Sequence, residues 1–234
     1  MGMQSSPAMV PRRAPPTPRF GLVIFDCDGV LVDSERITNQ VFADMLNELG
    51  AGVMLDYMFE HFVGNSMAQC LILAEQLLGS ALPVDFVVQY RARSEIALVA
   101  QLQPVSGIDA VLDRIRLPVC VASNGSHDKM RTTLGLTGLL SRFAGRMFSA
   151  TDVARGKPAP DVFLLAARQN GVLPSACVVV EDTPTGVMAA RAAGMTVLGF
   201  AGMVSAQRLR IAGADAVFDD MVRLPELIDC YGQQ

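Results

Sequence analysis

Several polar side chains that could do chemistry follow short apolar runs in this sequence. They are Asp26, Asp28, Ser123, Asn124, Glu181 and Asp182. Four of the six are carboxylates, and like charges brought together repel one another unless a cation neutralises them. The chain has only two histidines, and neither lies beside this group, so an ion that prefers oxygen ligands is favoured. Mg²⁺ suits a site that shares carboxylates with a phosphate, and the sequence therefore predicts a Mg²⁺ site.

The first acidic pair, Asp26 and Asp28, allows a second argument. In extended backbone, alternate side chains point to the same side, so both carboxylates would face one substrate while Cys27 points away. One carboxylate could attack as a nucleophile and the other could move protons. Gly29 would let the loop bend sharply and bring backbone N–H groups close to an anion.

A parallel sheet is the element that could bring these residues together. Apolar runs at residues 20–25, 118–122, 177–180 and 196–200 are typical of strands buried on both faces. Segments 128–134, 161–170 and 185–193 show helical spacing of apolar residues between or after these runs. The pattern predicts an α/β fold with a doubly wound parallel sheet, whose ligands bind outside the carboxyl ends of the strands.

One long stretch interrupts the alternation of strand and helix. Between residues 36 and 103 the pattern is helical, with predicted helices at 38–49, 67–78 and 84–98. We interpret this stretch as an inserted all-helical cap domain, within a core domain formed by residues 20–35 and 104–234. Residues 1–19 are rich in proline, lack the apolar segment of a signal peptide, and are predicted to be a flexible tail.

Composition excludes several classes of function. The net charge of −4 and the absence of tryptophan argue against a nucleic-acid groove. The longest uncharged run is too short and too rich in glycine for a membrane span. Five widely spaced cysteines without a C-x-x-C pair are typical of reduced thiols, so we expect a cytoplasmic protein. The oligomeric state stays open.

Four segments also resemble, in order and spacing, the motifs of the haloacid dehalogenase superfamily of phosphotransferases. They are residues 26–35, 123–125, 156–161 and 181–183. The resemblance is to the branch with a helical cap that includes β-phosphoglucomutase-like phosphatases. It implies that Asp26 is the nucleophile that becomes an aspartyl-phosphate, and that Asp28 is the general acid and then the general base. An aspartate at position 28 favours phosphate over halide substrates, because the dehalogenases of this superfamily lack it.

The resemblance also implies how ligands are held. Mg²⁺ would be bound by the Asp26 carboxylate, the Asp28 main-chain carbonyl and Asp182, with Glu181 either a direct ligand or a supporting neighbour. The phosphoryl oxygens would be held by Ser123, the Asn124 backbone N–H, Lys157 and the loop at Gly29. Asp33 and Glu35, at the end of the first motif, are interpreted as turn or hinge residues.

We expect the predicted cap domain to determine which substrate binds. The segment 36–103 contains three basic and seven acidic residues, which disfavours a polyanionic substrate. We expect a small sugar or sugar-acid monophosphate, with Gly64, Asn65, Ser66 and Arg91 as cap residues that contact it. A sugar phosphomutase of the β-phosphoglucomutase type is the alternative enzyme, although Met67 stands where the mutases carry an arginine. A non-catalytic binding protein on the same fold is the alternative from another class.

Overall fold

The computed structural model of the chain describes residues 20–232, so the predicted tail at 1–19 lies outside the described residues. A sheet of six parallel strands forms the centre of the described part. Its strands are β1 (Leu22–Phe25), β2 (Val119–Ser123), β3 (Met147–Ser149), β4 (Cys177–Glu181), β5 (Thr196–Phe200) and β6 (Ala216–Phe218). Their spatial order is β3-β2-β1-β4-β5-β6, which confirms the predicted doubly wound α/β fold.

Helices cover both faces of this sheet. The bounds are α1 (Ser34–Glu48), α2 (Leu55–His61), α3 (Met67–Leu78), α4 (Phe86–Gln101), α5 (Ile108–Arg114), α6 (His127–Leu136), α7 (Asp161–Gln169), α8 (Pro184–Ala192), α9 (Ala206–Ala212) and α10 (Leu224–Gly232). Helices α5, α6 and α10 pack on one face with Val23 and Phe25 of β1. Helices α7, α8 and α9 pack on the other face with Leu22 and Ile24. Burial on both faces explains why the strands are continuous apolar runs.

Helices α1 to α4 lie between β1 and β2 in the chain and share a separate apolar cluster. Phe42 of α1 is at its centre, with ring centroids 5.6 Å from Phe62, 5.3 Å from Phe86 and 5.1 Å from Tyr90. The cluster contains no strand residue. These helices occupy the stretch predicted as a cap, and α1 begins at Ser34, just before the predicted boundary. The division into cap and core domains stays a prediction.

Two observations bear on the excluded classes. None of the helices in residues 20–232 has the length and apolar character needed to cross a membrane. The five cysteines all fall within this range and are free thiols. The cytoplasmic location stays a prediction.

Candidate active site

The candidate site lies at the carboxyl ends of β1 and β4, the neighbouring central strands. The strand order reverses between these two strands, and such a reversal leaves a crevice outside their carboxyl ends. Asp26 directly follows β1, Glu181 ends β4, and Asp182 follows it. All three side chains are buried. The sheet therefore brings together carboxylates that are about 155 residues apart in the chain.

Lys157 is the cation of this cluster. Its ammonium donates to Asp26 Oδ1 at 2.5 Å, to Glu181 Oε1 at 2.6 Å and to the Ala122 carbonyl at 2.9 Å. Only 5% of the side chain is exposed, and the ammonium lies 4.8 Å from the centroid of the Phe163 ring. All three protons of the ammonium are thus engaged, and Lys157 fixes the two carboxylates relative to each other.

The Asp182 side chain differs from those of Asp26 and Glu181 in its hydrogen-bond contacts. Both of its carboxylate oxygens are buried and have no hydrogen-bond partner among residues 20–232. A buried carboxylate without a partner is strongly disfavoured. Ligand atoms from Asp26, Glu181 and Asp182 all lie within 4.8 Å of one another. Three convergent carboxylates, one of them without any partner, suit a hard divalent cation such as Mg²⁺.

Two glycines leave room for the carboxylates of this cluster. At Gly29, a Cβ atom would collide with the Asp182 carboxylate, and φ is +82°, in the left-handed region. At Gly186, a Cβ would collide with the Glu181 carboxylate. Glu181 Oε2 also accepts from the backbone N–H and the hydroxyl of Thr183, at 3.1 and 3.0 Å. Glu181 is therefore held by neighbouring groups on both oxygens, whereas Asp182 is not.

The acidic cluster changes the proton affinity of its members. Burial raises the pKa of Asp26 to about 7, with repulsion from Glu181 and Asp28 added and attraction to Lys157 opposing it. Burial also raises the pKa of Asp182 well above its ordinary value, with repulsion from Glu35 and Glu181 added. A cation bound among these carboxylates would favour their ionised forms.

Asp28 has different neighbours. Its Oδ1 accepts from the Ser34 hydroxyl at 2.5 Å, and its Oδ2 accepts from the Lys129 ammonium at 2.8 Å. Although burial raises the pKa of Asp28, the Lys129 and Ser34 contacts outweigh it and bring the pKa below its ordinary value. Asp26 and Asp28 are thus close in sequence but held by separate partners, with opposite shifts of their pKa.

The loops after β2 and before α7 are tied to each other. Asn124 Oδ1 accepts from the Lys157 backbone N–H at 2.8 Å, and Asn124 Nδ2 donates to the Lys157 carbonyl at 3.2 Å. Ser123 is buried, and its hydroxyl accepts from the Gly125 N–H at 2.9 Å. At Gly156, a Cβ would lie 2.6 Å from Asn124 Oδ1. The Asn124 side chain therefore fixes the backbone of Lys157.

The predicted cap residues lie outside this cluster of contacts. Gly64, with φ of +88°, lies between α2 and α3, and a Cβ there would be 3.7 Å from Pro184 of α8 and from Arg208 of α9. Asn65 is exposed and donates to the His61 carbonyl at 2.8 Å. Ser66 caps α3, together with the Gln69 side chain. Arg91 is exposed on α4. None of the four makes a polar contact with the carboxylates within residues 20–232.

Sequence reasoning missed three side chains near the site. Lys129 and Ser34 hold Asp28, and Glu35 lies in the first turn of α1. Burial raises the pKa of Glu35 to about 7, with repulsion from Asp28 added. The composition of the sequence could have drawn attention to Lys129, since the chain has only two lysines, Lys129 and Lys157, and seventeen arginines. Glu35 was interpreted only as a turn or hinge residue.

Known proteins resemble this chain along most of its length. A family model described as haloacid dehalogenase-like hydrolase matches residues 20–194. The chain is 32% identical to the 6-phosphogluconate phosphatase of Escherichia coli (strain K12) over 184 residues, which are 78% of this chain and 83% of that protein.

Two solved structures are also similar to it. A conserved haloacid dehalogenase-like protein from Agrobacterium tumefaciens strain C58 superposes with a TM-score of 0.86 and 38% identity, covering 91% of this chain and 99% of its own. A haloacid dehalogenase family hydrolase from Deinococcus radiodurans R1, with bound phosphate and sodium, has a TM-score of 0.79 and 32% identity. That match covers 89% of this chain and 94% of the other.

Proposed function

Because the chain belongs to the haloacid dehalogenase-like hydrolases, we propose that it is a Mg²⁺-dependent phosphatase acting through an aspartyl-phosphate intermediate. The chain is an enzyme of this hydrolase family, and phosphatases are among its curated relatives. The proposed substrate is a small sugar or sugar-acid monophosphate. The observation that carries the proposal is the convergence of Asp26, Glu181, Asp182 and Lys157 at the carboxyl ends of β1 and β4.

In the first half of the proposed reaction, Asp26 attacks the substrate. A carboxylate oxygen of Asp26 forms a bond to phosphorus while the bond from phosphorus to the sugar oxygen breaks. Asp28 gives a proton to the departing sugar oxygen, so the sugar leaves as a neutral alcohol. The ion pair with Lys157 keeps the Asp26 carboxylate in one orientation before the attack.

In the second half, water attacks the aspartyl-phosphate. Asp28 takes a proton from the water as the new bond to phosphorus forms, and the bond between phosphorus and the Asp26 oxygen breaks. Inorganic phosphate leaves and Asp26 returns to its carboxylate. The contacts to Lys129 and Ser34 favour the ionised form of Asp28, which is the form required of a base. In the first half, the negative charge of the bound phosphate would raise the pKa of Asp28 again and so favour the protonated form that an acid needs.

The groups that would hold Mg²⁺ are the Asp26 and Asp182 carboxylates and the Asp28 main-chain carbonyl. Glu181 would be either a further ligand or a supporting neighbour. Bound Mg²⁺ would supply neutralisation of negative charge on the carboxylates and the phosphoryl group. The unpartnered oxygens of Asp182 support its role as a direct ligand. Because Lys157 and Thr183 already engage both oxygens of Glu181, its proposed role is chiefly to support its neighbours.

The phosphoryl oxygens would be bound around the same crevice. The candidates are the Ser123 hydroxyl, the Asn124 backbone N–H, the Lys157 ammonium and the loop at Gly29. Asn124 fixes the Lys157 backbone, which supports a preformed arrangement. Preformed donors are effective in phosphoryl transfer, because they need no reorganisation as charge moves.

The charge of the cap segment and the relatives of the chain both bear on the substrate class. We propose that residues 36–103 form the cap domain over the crevice, with Gly64, Asn65, Ser66 and Arg91 on the substrate side. Three basic and seven acidic residues in that segment disfavour substrates with several phosphates. The E. coli relative is a 6-phosphogluconate phosphatase, which supports a sugar-acid monophosphate.

Hydrolysis of p-nitrophenyl phosphate, with Mg²⁺ and with a chelator, tests this function. We expect turnover only with Mg²⁺, and a loss of at least about 10⁴-fold in Asp26→Asn. The matched control is Asp128→Asn, a surface carboxylate paired with Arg131 on α6, which should keep full activity. Full activity in Asp26→Asn, or turnover indifferent to chelator, contradicts the proposal.

A panel of sugar monophosphates, 6-phosphogluconate included, then tests the substrate class. The products are analysed both for inorganic phosphate and for isomerised sugar phosphate. Release of inorganic phosphate in step with substrate loss supports a phosphatase. Accumulation of an isomer would instead indicate a mutase.

A further inference from the structure

We infer that Lys129 is a positioning residue that, with Ser34, holds the Asp28 carboxylate in the orientation required for proton transfer. This inference rests on the proposed function, in which Asp28 carries the proton. Lys129 acts through Asp28 and has no direct contact with Asp26 within residues 20–232. Its position in the fold, its contacts and its residue type support the role independently.

The contacts of Asp28 are divided between two elements. The Ser34 hydroxyl, at the start of α1, holds Oδ1 at 2.5 Å. The Lys129 ammonium, in the first turn of α6, holds Oδ2 at 2.8 Å. With one donor on each oxygen, the carboxylate cannot rotate without losing a charge-assisted or a short hydrogen bond. Ser34 and Lys129 thus fix its plane.

The loop before α6 also leaves room for the Lys129 side chain to reach Asp28. A Cβ at Gly125 would lie 3.3 Å from Lys129 Cδ and 3.8 Å from Asp28 Oδ2. Such a contact is tight, so a larger residue at position 125 would push against the aliphatic part of Lys129. Gly125 therefore leaves space beside the aliphatic part of Lys129 where it extends to Asp28.

The placement of Lys129 is unfavourable for the helix that carries it. A cation in the first turn of an α-helix is repelled by the positive end of the helix dipole. Only two of the nineteen basic residues are lysine, and the other, Lys157, contacts Asp26. Residues that disagree with local preference are expected at functional or strained sites.

An ordinary half-exposed ion pair is the competing explanation. The Lys129 side chain is 45% exposed and that of Asp28 15%, and exposed pairs contribute little to stability. The two explanations differ in what removal of the ammonium does to chemistry. Misplacing Asp28 should slow the departure of a leaving group in proportion to its need for a proton, whereas loss of a surface ion pair should not.

The test compares phenyl phosphate with p-nitrophenyl phosphate in Lys129→Met. The two substrates are similar in shape, but phenolate needs a proton on departure far more than nitrophenolate does. We expect kcat/KM to fall about 100-fold for phenyl phosphate and less than about 10-fold for p-nitrophenyl phosphate. Lys129→Arg, which keeps a donor near Oδ2, should recover most of the loss on phenyl phosphate.

Arg131→Gln on the same helix is the matched control and should behave as the unsubstituted protein. Thermal unfolding of each variant checks that the fold is kept. Equal losses on the two substrates, or no loss in Lys129→Met, would overturn the inference while leaving the phosphatase intact. If the unsubstituted protein hydrolyses neither aryl phosphate, the proposed function fails, and this inference fails with it.

Discussion

The crevice at the sheet and the loop between α2 and α3 are built in different ways. In the crevice, Lys157 joins Asp26, Glu181 and the Ala122 carbonyl, groups that are 24 to 131 residues away along the chain. In the loop, Asn65 and Ser66 contact residues only three or four positions away, and both are exposed. The crevice is fixed by the whole fold, whereas the loop is fixed by one helix cap and by its contact with Arg208.

This difference suits the crevice to the catalytic step and the loop to substrate specificity. Buried groups with engaged donors keep one arrangement, as phosphoryl transfer requires. An exposed loop can change its side chains without disturbing the sheet, and such positions are where binding specificity commonly differs among relatives. Substitutions in the crevice should therefore reduce turnover, and substitutions that affect the loop should mainly change KM.

After the nucleophile Asp26 itself, the largest expected effect is at Lys157. In Lys157→Met, the Asp26 and Glu181 carboxylates lose their shared cation, and we expect kcat to fall about 10³-fold. The buried carboxylates left without it should also lower the stability of the metal-free fold, because an unpaired buried charge is costly. Steady-state kinetics with p-nitrophenyl phosphate, and thermal unfolding with and without Mg²⁺, measure the two effects.

Lys157→Arg distinguishes charge from shape at the same position. The site is almost closed to solvent, and the ammonium lies against the Phe163 ring and three oxygens. A planar guanidinium has a different size and a different arrangement of donors. We expect about a tenth of normal turnover or less, and near-normal turnover would mean that charge alone matters there.

The same contrast explains how much the sequence could predict. Carboxylates at strand ends were found because apolar runs identify buried parallel strands, and the ends of such strands meet at one edge. Lys129 was missed because it lies on α6, four residues beyond the second motif, and its contact with Asp28 joins positions 101 residues apart in the chain. Strands β3 and β6, each three residues long, were missed because so short a run carries little periodicity.

A further effect is expected on the stability of the metal-free crevice, at Asp182. The Asp182 carboxyl has a raised pKa in the folded protein, so the folded state binds its proton more tightly than the unfolded state does. The ionised Asp182 carboxylate therefore destabilises the folded state. This effect is absent at low pH and grows as pH rises above the ordinary pKa of an aspartate, about 3.9. In chelator at pH 7.5, Asp182→Asn should unfold about 5 °C higher than the unsubstituted protein.

Mg²⁺ should reverse this order, because a ligand that binds only the folded state stabilises it. The unsubstituted protein should gain in melting temperature with added Mg²⁺, and Asp182→Asn should gain little. At pH 4.5 in chelator the two melting temperatures should converge. A lower melting temperature for Asp182→Asn in chelator at pH 7.5 would show that Asp182 is not the strained group that its missing partners indicate.

The smallest expected effect is at the contact between this loop and α9. Arg208 of α9 donates to the carbonyls of Phe59, Glu60 and Val63 at 3.4, 3.3 and 3.1 Å, at the end of α2. These carbonyls precede Gly64, so the guanidinium fixes where the loop begins. In Arg208→Met, we expect KM for the best sugar monophosphate to rise about threefold to tenfold, with kcat little changed.

The control for this prediction is Arg210→Met, an exposed arginine two residues along the same helix, which should leave KM unchanged. Lys at position 208 should restore only part of the effect, since one ammonium cannot reproduce the fork that meets three carbonyls. A fall in kcat as large as the rise in KM would contradict the separation of the two regions. In that case the loop would help to hold the crevice in place, and Arg208, like Asn124, would be a residue that positions catalytic groups.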